Sequence, residues 1–308
     1  MKILVTGGTG FIGRHVVRCL RANNYNVLVG TRRIPQEKGA IQFFLDTCSW
    51  MEMMIDKYEI DCIVHLSGRA SVGSSFNEPY ETYENNVRDT INLLKVVSEK
   101  FKHIRLIVTG SSEIYTPTES VLTESSSFGP VSPYGFTKVF IDTFSRSIAK
   151  RFSLSLVVTR PFNIIGPEQS EIFVMSNFAK QLAEMQLYKR EKILRVGNLE
   201  VSRDFVDVRD IATAYMCLIN GDEIGSAYNI CSGKSYKLID CINKLIEIAS
   251  IKDIKIEKDK SRLRPTDIKS IVGDNLMIKD EYGWTQNYMI EKTFEDILEY
   301  GRNKLNES

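Results

Sequence analysis

The chain has 308 residues, of which 43% are apolar and 26% charged, the composition of an ordinary water-soluble globular protein. Its 40 Lys and Arg residues balance 39 Asp and Glu residues, which disfavours a nucleic-acid-binding or membrane-surface protein, because such proteins need a basic field. A chain of this length can build one large domain or two smaller lobes around a substantial core.

Cysteine and histidine usage argues against a metal site. The six cysteines include no Cys-x-x-Cys pair, and the three histidines stand far apart, so metal ligands are not grouped at short spacing. Met1 leads directly into an apolar run without the pattern of a secretory signal, and no apolar run approaches the length of a membrane span. We expect a cytoplasmic enzyme with reduced cysteines and no bound metal.

Short apolar runs alternate with amphipathic segments over the first 160 residues. The amphipathic segments predict helices, the first of which ends at about Ala22. Strands that alternate with helices indicate βαβ units and a parallel sheet covered on both faces. The runs predicted to be strands are Lys2–Thr6, Val27–Gly30, Ile41–Leu45, Asp61–Leu66, Ile104–Val108 and Leu154–Thr159.

The regular alternation of apolar runs and amphipathic segments ends after Gly166-Pro167. The later elements predicted are helices over 172–189, 209–219 and 238–249, a strand over 228–230 and a last helix from about Ile290. We predict an α/β fold, a Rossmann-type doubly wound parallel sheet with a smaller α/β C-terminal substrate lobe. The predicted dinucleotide-binding domain is 1–166 with return segments near 204–232, and the predicted lobe is 167–203 and 233–308.

A glycine-rich turn follows the first predicted strand. Gly7, Gly10 and Gly13 permit a tight turn and close approach of the backbone to a pyrophosphate, which then rests on the helix N-terminus beside Phe11 and Ile12. The Gly-x-x-Gly-x-x-Gly spacing differs from the Gly-x-Gly-x-x-Gly of common dehydrogenases. Its place between a strand and a helix nevertheless indicates a dinucleotide site.

The end of the second strand favours one nicotinamide cofactor over the other. NAD-selective folds place a carboxylate there for the ribose 2′-hydroxyl, whereas a 2′-phosphate requires arginine. This chain has Arg32 and Arg33 and no acid, which favours NADP(H), with NAD(H) possible. The alternative is that both arginines are ordinary exposed loop charges.

Two more stretches complete the candidate cofactor site. Asp46, after the third predicted strand, stands where it could contact the adenine. Leu66, Ser67 and Gly68 follow the fourth strand and could line the pyrophosphate and ribose. Because the carboxyl ends of parallel strands meet at one edge of a sheet, these residues are expected to lie near the glycine turn.

A tyrosine and a lysine four residues apart form the candidate catalytic pair. Tyr134 and Lys138 would share one helix face, with Cβ atoms about 6 Å apart. A nearby cation favours the phenolate, so we predict a Tyr134 pKa below its usual value of about 10 and a role in proton transfer near neutral pH. The same spacing recurs in three other pairs, so the surrounding sequence has to show which pair is functional. The other pairs are Tyr188/Lys192, Tyr288/Lys292 and Tyr300/Lys304.

Together these features resemble the extended short-chain dehydrogenase/reductase family, the group that rebuilds nucleotide-activated sugars. The resemblance covers essentially the whole chain. It implies that Tyr134 is the acid/base and that Lys138 lowers its pKa and binds the nicotinamide ribose. Ser111 matches the family's Ser or Thr that hydrogen-bonds the reacting sugar oxygen, and Asn86 matches the Asn of its helix motif.

The resemblance also implies the substrate side of the site. Arg160-Pro161-Phe162-Asn163 matches the loop that flanks the nicotinamide, with Pro161 at the cofactor and Asn163 beginning the substrate site. Arg203 and Arg264 are the candidates for the nucleotide diphosphate, since a guanidinium binds phosphate oxygens bidentately. Either arginine could instead pair with a neighbouring acid such as Asp204 or Asp267. Two further residues are candidates for substrate binding: Ser112 and Arg195.

Within the family, several segments are most similar to the reductases of GDP-4-keto-6-deoxy-mannose, which serve polysaccharide biosynthesis. These segments are Ser-Ser-Glu-Ile-Tyr, Ser-Pro-Tyr-Gly-Phe-Thr-Lys, Arg-Pro-Phe-Asn-Ile-Ile-Gly-Pro, Val-Gly-Asn-Leu-Glu-Val-Ser-Arg-Asp-Phe and Arg-Pro-Thr-Asp. The resemblance implies transfer of hydride from NAD(P)H to C4 of a GDP-linked sugar, with Tyr134 as proton donor and Ser111 as a second hydrogen-bond donor. The guanine base and the sugar rest on the resemblance alone.

Glu113 keeps other functions open. The 4,6-dehydratases of the family place a Glu here that abstracts the C5 proton, so the chain has the carboxylate of a dehydratase. Glu113 could instead hydrogen-bond sugar hydroxyls or hold its loop. A nucleotide-sugar epimerase is a further alternative, and an NADP-binding regulatory protein is the non-enzyme alternative. Such regulatory proteins tend to lose the Tyr or Lys that this chain retains.

The resemblance implies a homodimer formed by two helices from each subunit. The segments over 81–99 and 134–150 would supply that four-helix bundle. Four apolar residues of the second segment fit such a face, although they could equally belong to the core of one chain: Val139, Phe140, Phe144 and Ile148.

Overall fold

The structure, a computed structural model, describes residues 1–35, 39–118, 120–188, 190–262 and 268–307. Its strands are β1 (Lys2–Thr6), β2 (Asn26–Thr31), β3 (Ala40–Gln42), β4 (Cys62–His65), β5 (Arg105–Thr109), β6 (Leu156–Pro161), β7 (Asn163–Ile165), β8 (Ile193–Val196), β9 (Ser202–Arg203), β10 (Phe205–Asp207), β11 (Ile224–Ile230), β12 (Tyr236–Lys237) and β13 (Lys255–Lys258).

Eleven α-helices are found in the described ranges, together with a π-helical turn over Glu84–Arg88 and two 3₁₀ turns over Ser112–Ile114 and Lys260–Arg262. The helices are α1 (Phe11–Ala22), α2 (Cys48–Tyr58), α3 (Val72–Asn77), α4 (Pro79–Tyr83), α5 (Asp89–Lys100), α6 (Pro133–Phe152), α7 (Val174–Tyr188), α8 (Val208–Leu218), α9 (Leu238–Ala249), α10 (Leu276–Tyr282) and α11 (Ile290–Asn306).

Seven strands form a central parallel sheet in the order β11-β6-β5-β4-β1-β2-β3. Successive side chains of a strand point to opposite faces, so Ile3 and Val5 join one core with α1 and α8, while Leu4 joins another with α2, α5 and α6. Burial on both faces explains why the strands are continuous apolar runs. The predicted doubly wound α/β fold is confirmed.

Local departures from the predicted elements have identifiable causes. The third strand ends at Gln42 rather than at Leu45, because Phe43 and Leu45 turn into the core beneath α2. The sixth strand begins two residues later than predicted, since Ser153 closes α6 in the left-handed region with φ 55°. The π-helical turn between α4 and α5 interrupts a segment that was predicted as one helix.

A third core lies outside the central sheet. It is built from α7, α9 and α11, with Leu182, Leu245 and Phe294 among its fully buried side chains. Three two-stranded pairs border it, β7 with β10, β9 with β12 and β8 with β13. The predicted later helices are present.

Candidate functional site

The turn from β1 to α1 and the start of the helix have no room for a side chain at Gly7 or Gly13. Gly7 has φ +68°, and a Cβ placed on it would lie 2.9 Å from the carbonyl carbon of Leu66. A Cβ on Gly13 would lie 2.2 Å from the Gly7 carbonyl oxygen, and the Gly10 amide donates to that same oxygen at 2.9 Å. The helix therefore starts in direct backbone contact with the strand end.

The N-terminus of α1 is built to receive an anion. Gly10 caps the helix without a side-chain hydrogen bond, and the first turn contains no acid, so no side chain there competes for the amides beside Phe11 and Ile12. Ser67 and Gly68 follow β4 on the other side of the turn, where a Cβ on Gly68 would lie 2.7 Å from Asn86 Oδ1. This cradle fits the pyrophosphate of a dinucleotide.

Cations and one buried acid surround the end of β2. Arg32 and Arg33 are exposed, and Arg32 Nη1 lies 3.4 Å from Asn85 Oδ1. Asp46 is also exposed. Burial raises the pKa of Asp89, on α5, while the charges of Arg88 and Arg32 lower it, and Asp46 raises it further. The nearness of Asp89 to the Arg32 and Asp46 charges was not predicted, because the place of Asp89 inside a helix gives no local signal.

The structure brings Ser111, Tyr134 and Lys138 together at the carboxyl edge of the sheet. Tyr134 and Lys138 lie in the first turns of α6, which Ser132 caps by accepting a hydrogen bond from the Gly135 amide at 3.0 Å. Both side chains are buried, with the Lys138 ammonium 5.7 Å from the Tyr134 ring centroid. A hydrogen bond joins Tyr134 to Ser111.

The prediction of a lowered Tyr134 pKa is wrong for the chain by itself. Burial raises the pKa of Tyr134 above its usual value, more than the Ser111 hydrogen bond lowers it, and the Glu113 charge raises it further. Burial also lowers the pKa of Lys138 to about 8, and its ammonium donates to the Thr109 carbonyl oxygen at 2.7 Å. Loss of water outweighs the attraction between the two groups, so the Tyr134 phenol keeps its proton at neutral pH.

Glu113 lies on the 3₁₀ turn that follows β5. Its amide donates to the Ser111 hydroxyl at 3.2 Å, and its side chain is half-buried. Since its charge raises the Tyr134 pKa, the carboxylate lies within electrostatic range of the phenol. Ser112, a predicted substrate-binding residue, is only 4% exposed.

Two buried polar residues, Asn86 and His65, lie close to α6 near Lys138. Asn86, in the π-helical turn, accepts from the Arg69 amide at 2.8 Å and donates to Thr137 Oγ1 at 3.2 Å, one residue before Lys138. His65, at the end of β4, hydrogen-bonds Thr6 and Thr90. Burial, and then the Lys138 charge, lowers the pKa of His65 to about 3, so this imidazole is neutral. His65 was missed, although its place at a strand end was a usable signal.

The candidate substrate residues occupy neighbouring short strands. Asn163 begins β7 beside Pro161, and its Nδ2 donates to the Asp204 carbonyl oxygen at 3.3 Å. Arg203, on β9, donates from Nη1 to the carbonyl oxygens of Ser202 at 2.9 Å and Ile268 at 2.7 Å. Arg195, on β8, is exposed. The predicted phosphate ligand Arg264, with its possible partner Asp267, lies outside the described residues.

Arg160 has a structural role that the sequence motif did not reveal. Its side chain is fully buried, and it binds Asp142 of α6 bidentately, with Nε to Oδ2 at 2.7 Å and Nη2 to Oδ1 at 2.9 Å. Nη1 donates to the Tyr115 hydroxyl at 2.9 Å and to the Glu124 carbonyl oxygen at 2.8 Å. Arg160 thus joins α6 to the segment that follows Ser111 and Glu113.

The described part of the chain shows no sign of a metal centre or a membrane-spanning helix. No group of three or more His, Cys, Asp or Glu side chains in these ranges could hold a metal ion. None of their helices has the length and apolar character needed to cross a membrane. The six cysteines are free thiols.

A glycine cradle at the first turn of a parallel sheet and a Ser–Tyr–Lys set at its carboxyl edge define an NAD(P)-dependent oxidoreductase of the extended short-chain dehydrogenase/reductase class. The model of the GDP-mannose 4,6-dehydratase family matches residues 4–297. The chain belongs to that family.

Similar proteins align over nearly the whole chain. GDP-6-deoxy-D-mannose reductase of Pseudomonas aeruginosa is 28% identical over 320 residues, covering 99% of both chains. The structure of RMD from Pseudomonas aeruginosa complexed with NADPH is 27% identical with a TM-score of 0.87, covering 98% of this chain and 99% of that one. UDP-glucose 4-epimerase of Thermotoga maritima, with UDP-glucose, is 25% identical with a TM-score of 0.89, covering 99% and 100%.

Proposed function

We propose that the chain reduces the C4 ketone of a GDP-linked 4-keto-6-deoxy sugar, or a related nucleotide-linked 4-keto sugar, with NADPH. The observation that carries this proposal is the buried Ser111–Tyr134–Lys138 set with a phenol that is protonated at neutral pH. A reduction needs a proton donor at the carbonyl oxygen, and a raised pKa keeps that proton available. The likeness to GDP-6-deoxy-D-mannose reductase supports the same reaction class.

In the proposed reaction Tyr134 transfers a proton, and Ser111 and Lys138 stabilise charge. When bound, the nicotinamide supplies a hydride to C4 of the sugar. Tyr134 gives its phenolic proton to the oxygen, and the ketone becomes an alcohol. The Ser111 hydroxyl donates a second hydrogen bond to the same oxygen as negative charge develops. Lys138, held by Thr109, keeps a positive charge near the phenol and would bind the nicotinamide ribose.

We propose NADP(H) as the preferred cofactor, with NAD(H) possible. The glycine cradle would hold the pyrophosphate, and the exposed guanidinium groups of Arg32 and Arg33 would bind the 2′-phosphate. The end of β2 has no acid to favour a free 2′-hydroxyl. The complex of RMD with NADPH supports this preference.

We propose that residues 167–203 and 233–308 form the nucleotide-sugar-binding lobe. Its own core of α7, α9 and α11 supports this division. Asn163 and Arg203 lie on short strands next to the carboxyl edge of the sheet, where a substrate would meet the nicotinamide. Ser112, Arg195 and Arg264 remain candidates for further substrate contacts.

The test is an NADPH-oxidation assay with GDP-4-keto-6-deoxy-mannose prepared in situ. We expect oxidation by the wild-type chain and a loss of about 10³-fold or more in Tyr134→Phe, which keeps the ring but has no proton to give. NMR of the product gives the C4 configuration. Equal activity in both proteins would refute Tyr134 as the proton donor.

A 4,6-dehydratase is the second candidate, and the position of Glu113 favours it. The Glu113 charge acts on Tyr134, so a base and an acid are placed together, as elimination of water requires. The dehydratase would convert GDP-mannose to a 4-keto sugar without net use of cofactor, and Glu113→Gln would abolish that conversion. Reduction that persists in Glu113→Gln, with GDP-mannose left unchanged, would instead support the reductase.

We further propose that the enzyme is a cytoplasmic homodimer. Phe136 and Phe140 of α6 are 63% and 38% exposed, and Tyr80 of the adjacent α4 is 83% exposed, so aromatic surface is left uncovered on one side. Phe140 stacks on Phe144 at 5.2 Å between ring centroids. Of the four residues proposed for this face, Val139, Phe144 and Ile148 pack against the core, and Phe140 alone is exposed.

A further inference from the structure

Asp204 is a fully buried carboxylate between β9 and β10. Its Oδ1 accepts from the Ser232 amide and the Ser232 hydroxyl, both at 2.7 Å. Its Oδ2 accepts from the amides of Gly233 and Gly273, both at 3.1 Å. One side chain therefore holds two segments that are distant in sequence, the turn after β11 and the segment before α10.

The backbone around Asp204 connects to two of the candidate substrate residues, Asn163 and Arg203. The Asp204 carbonyl oxygen accepts from the Asn163 amide at 3.0 Å and from Asn163 Nδ2 at 3.3 Å. Arg203, the preceding residue, donates to the Ile268 carbonyl oxygen, five residues before Gly273. The segment that contacts the Arg203 guanidinium is thus the segment that the Asp204 carboxylate fixes.

The Ser232–Gly233 turn, which the Asp204 carboxylate also holds, leads to a strand that pairs with β9. The turn at Ser232 and Gly233, where Gly233 has φ +74°, leads into β12. Strand β12 pairs antiparallel with β9, with Tyr236 opposite Arg203. The carboxylate therefore fixes the neighbours of β9 on both sides, since Ser202 also pairs with Ser270.

A contribution to folding stability does not by itself explain why the Asp204 carboxylate is buried. Within the described ranges, every hydrogen bond to the Asp204 carboxylate comes from an uncharged amide or hydroxyl group. Burial raises the pKa of Asp204 to about 6, despite the hydrogen bonds that lower it, so the ionised form is disfavoured in the folded chain. A buried charge is poor evidence for stabilisation, and fixing one arrangement of backbone segments is its better-supported use.

We infer that Asp204 is a positioning residue for the nucleotide-sugar site. Its carboxylate fixes the Ser232–Gly233 turn and Gly273, and these two segments hold Asn163 and Arg203 in place. This inference rests on the proposed function. Asp204 does not touch the substrate, because it is fully buried, so its effect falls on substrate affinity rather than on proton transfer. The chemical groups it positions, an amide and a guanidinium, suit the diphosphate of a nucleotide sugar.

The test compares Asp204→Asn with a matched variant, Asp210→Asn. Asp210 is also fully buried, has a pKa raised to about 6 by burial, and accepts from the amides of Asn287 at 2.9 Å and Tyr288 at 3.1 Å. It therefore matches Asp204 in chemistry but holds the loop before α11.

We expect Asp204→Asn to raise KM for the nucleotide sugar about tenfold or more and to change kcat less than about threefold. The Kd for GDP, measured by calorimetry, should weaken by a similar factor, whereas the Kd for NADPH should not change. Asp210→Asn should leave all these constants within about twofold. Equal increases in KM in the two variants, or a fall in kcat alone, would overturn the inference.

Two further measurements keep the result decisive. Hydrogen exchange should accelerate at the Ser232, Gly233 and Gly273 amides in Asp204→Asn, and unchanged exchange there would refute the anchoring. Ser232→Ala, which removes one hydroxyl donor and keeps the carboxylate, should raise KM about threefold and serves if Asp204→Asn fails to fold. If the wild-type chain leaves the ketosugar unreduced, the proposed function fails, while GDP affinity and hydrogen exchange still decide the role of Asp204.

Discussion

Gly13→Ala is the substitution whose outcome the structure fixes most closely. Gly13 lies in the first turns of α1, and an added Cβ would lie 2.2 Å from the Gly7 carbonyl oxygen and 2.6 Å from Gly8 Cα. Both neighbours are backbone atoms of the cofactor turn, so neither can rotate away. The helix must move by roughly 1 Å to restore ordinary contact distances, which begin at about 3.5 Å.

Two opposing effects set the size of the change. Alanine is favoured over glycine inside a helix by about 1 kcal/mol. Overpacking a rigid contact costs about 1–3 kcal/mol, and a contact this short with backbone belongs at the upper end. The net loss of stability should therefore be about 2 kcal/mol. A displacement of about 1 Å in the turn that holds the pyrophosphate should lower kcat/KM for NADPH about 100-fold.

Gly301→Ala is the matched control for this substitution. Gly301 is also a helical glycine, in α11, but its Cβ would meet Ala179 and Ala183 at 3.8 Å, an ordinary contact. It should gain stability of about 0.5–1 kcal/mol and bind NADPH normally. Thermal melting measures the change in stability, and NADPH fluorescence titration measures cofactor binding. A Gly13→Ala protein that melts and binds like the wild type would refute the reasoning.

Three other predictions follow from burial and exposure. Because the Lys138 pKa is lowered to about 8, its ammonium loses its proton as pH rises, so kcat/KM for NADPH should fall above about pH 8; a flat pH–rate profile would contradict this. Asp142→Asn leaves the buried Arg160 charge poorly paired and should cost about 3–5 kcal/mol in urea denaturation. Ser145→Ala, on the same helix, removes a buried hydroxyl that has no hydrogen-bond partner among the described residues, and should cost far less. Phe140→Glu should convert a dimer to monomers in sedimentation, and a wild-type monomer would refute the dimer.

The local order of the sequence was enough to predict the sheet and the proximity of Tyr134 and Lys138. Continuous apolar runs predicted buried parallel strands, and seven of them form the sheet. The glycine spacing predicted a tight turn, because its effect acts over a few neighbouring residues, and a Cβ at Gly7 or Gly13 would collide with backbone atoms. Likewise, four-residue spacing on a helix was enough to place Tyr134 near Lys138.

Properties that depend on burial or on distant segments required the tertiary structure. The sequence predicted a lowered Tyr134 pKa from one neighbouring charge, but the loss of water around the phenol reverses that shift. Arg160 looked like part of a substrate loop, yet its partner Asp142 comes from a different element. Asp204 likewise binds amides about 30 and 70 residues away, at Gly233 and Gly273. Spacing along a chain fixes which side chains share a local element, whereas solvent exclusion and long-range partners arise only when separate elements pack together.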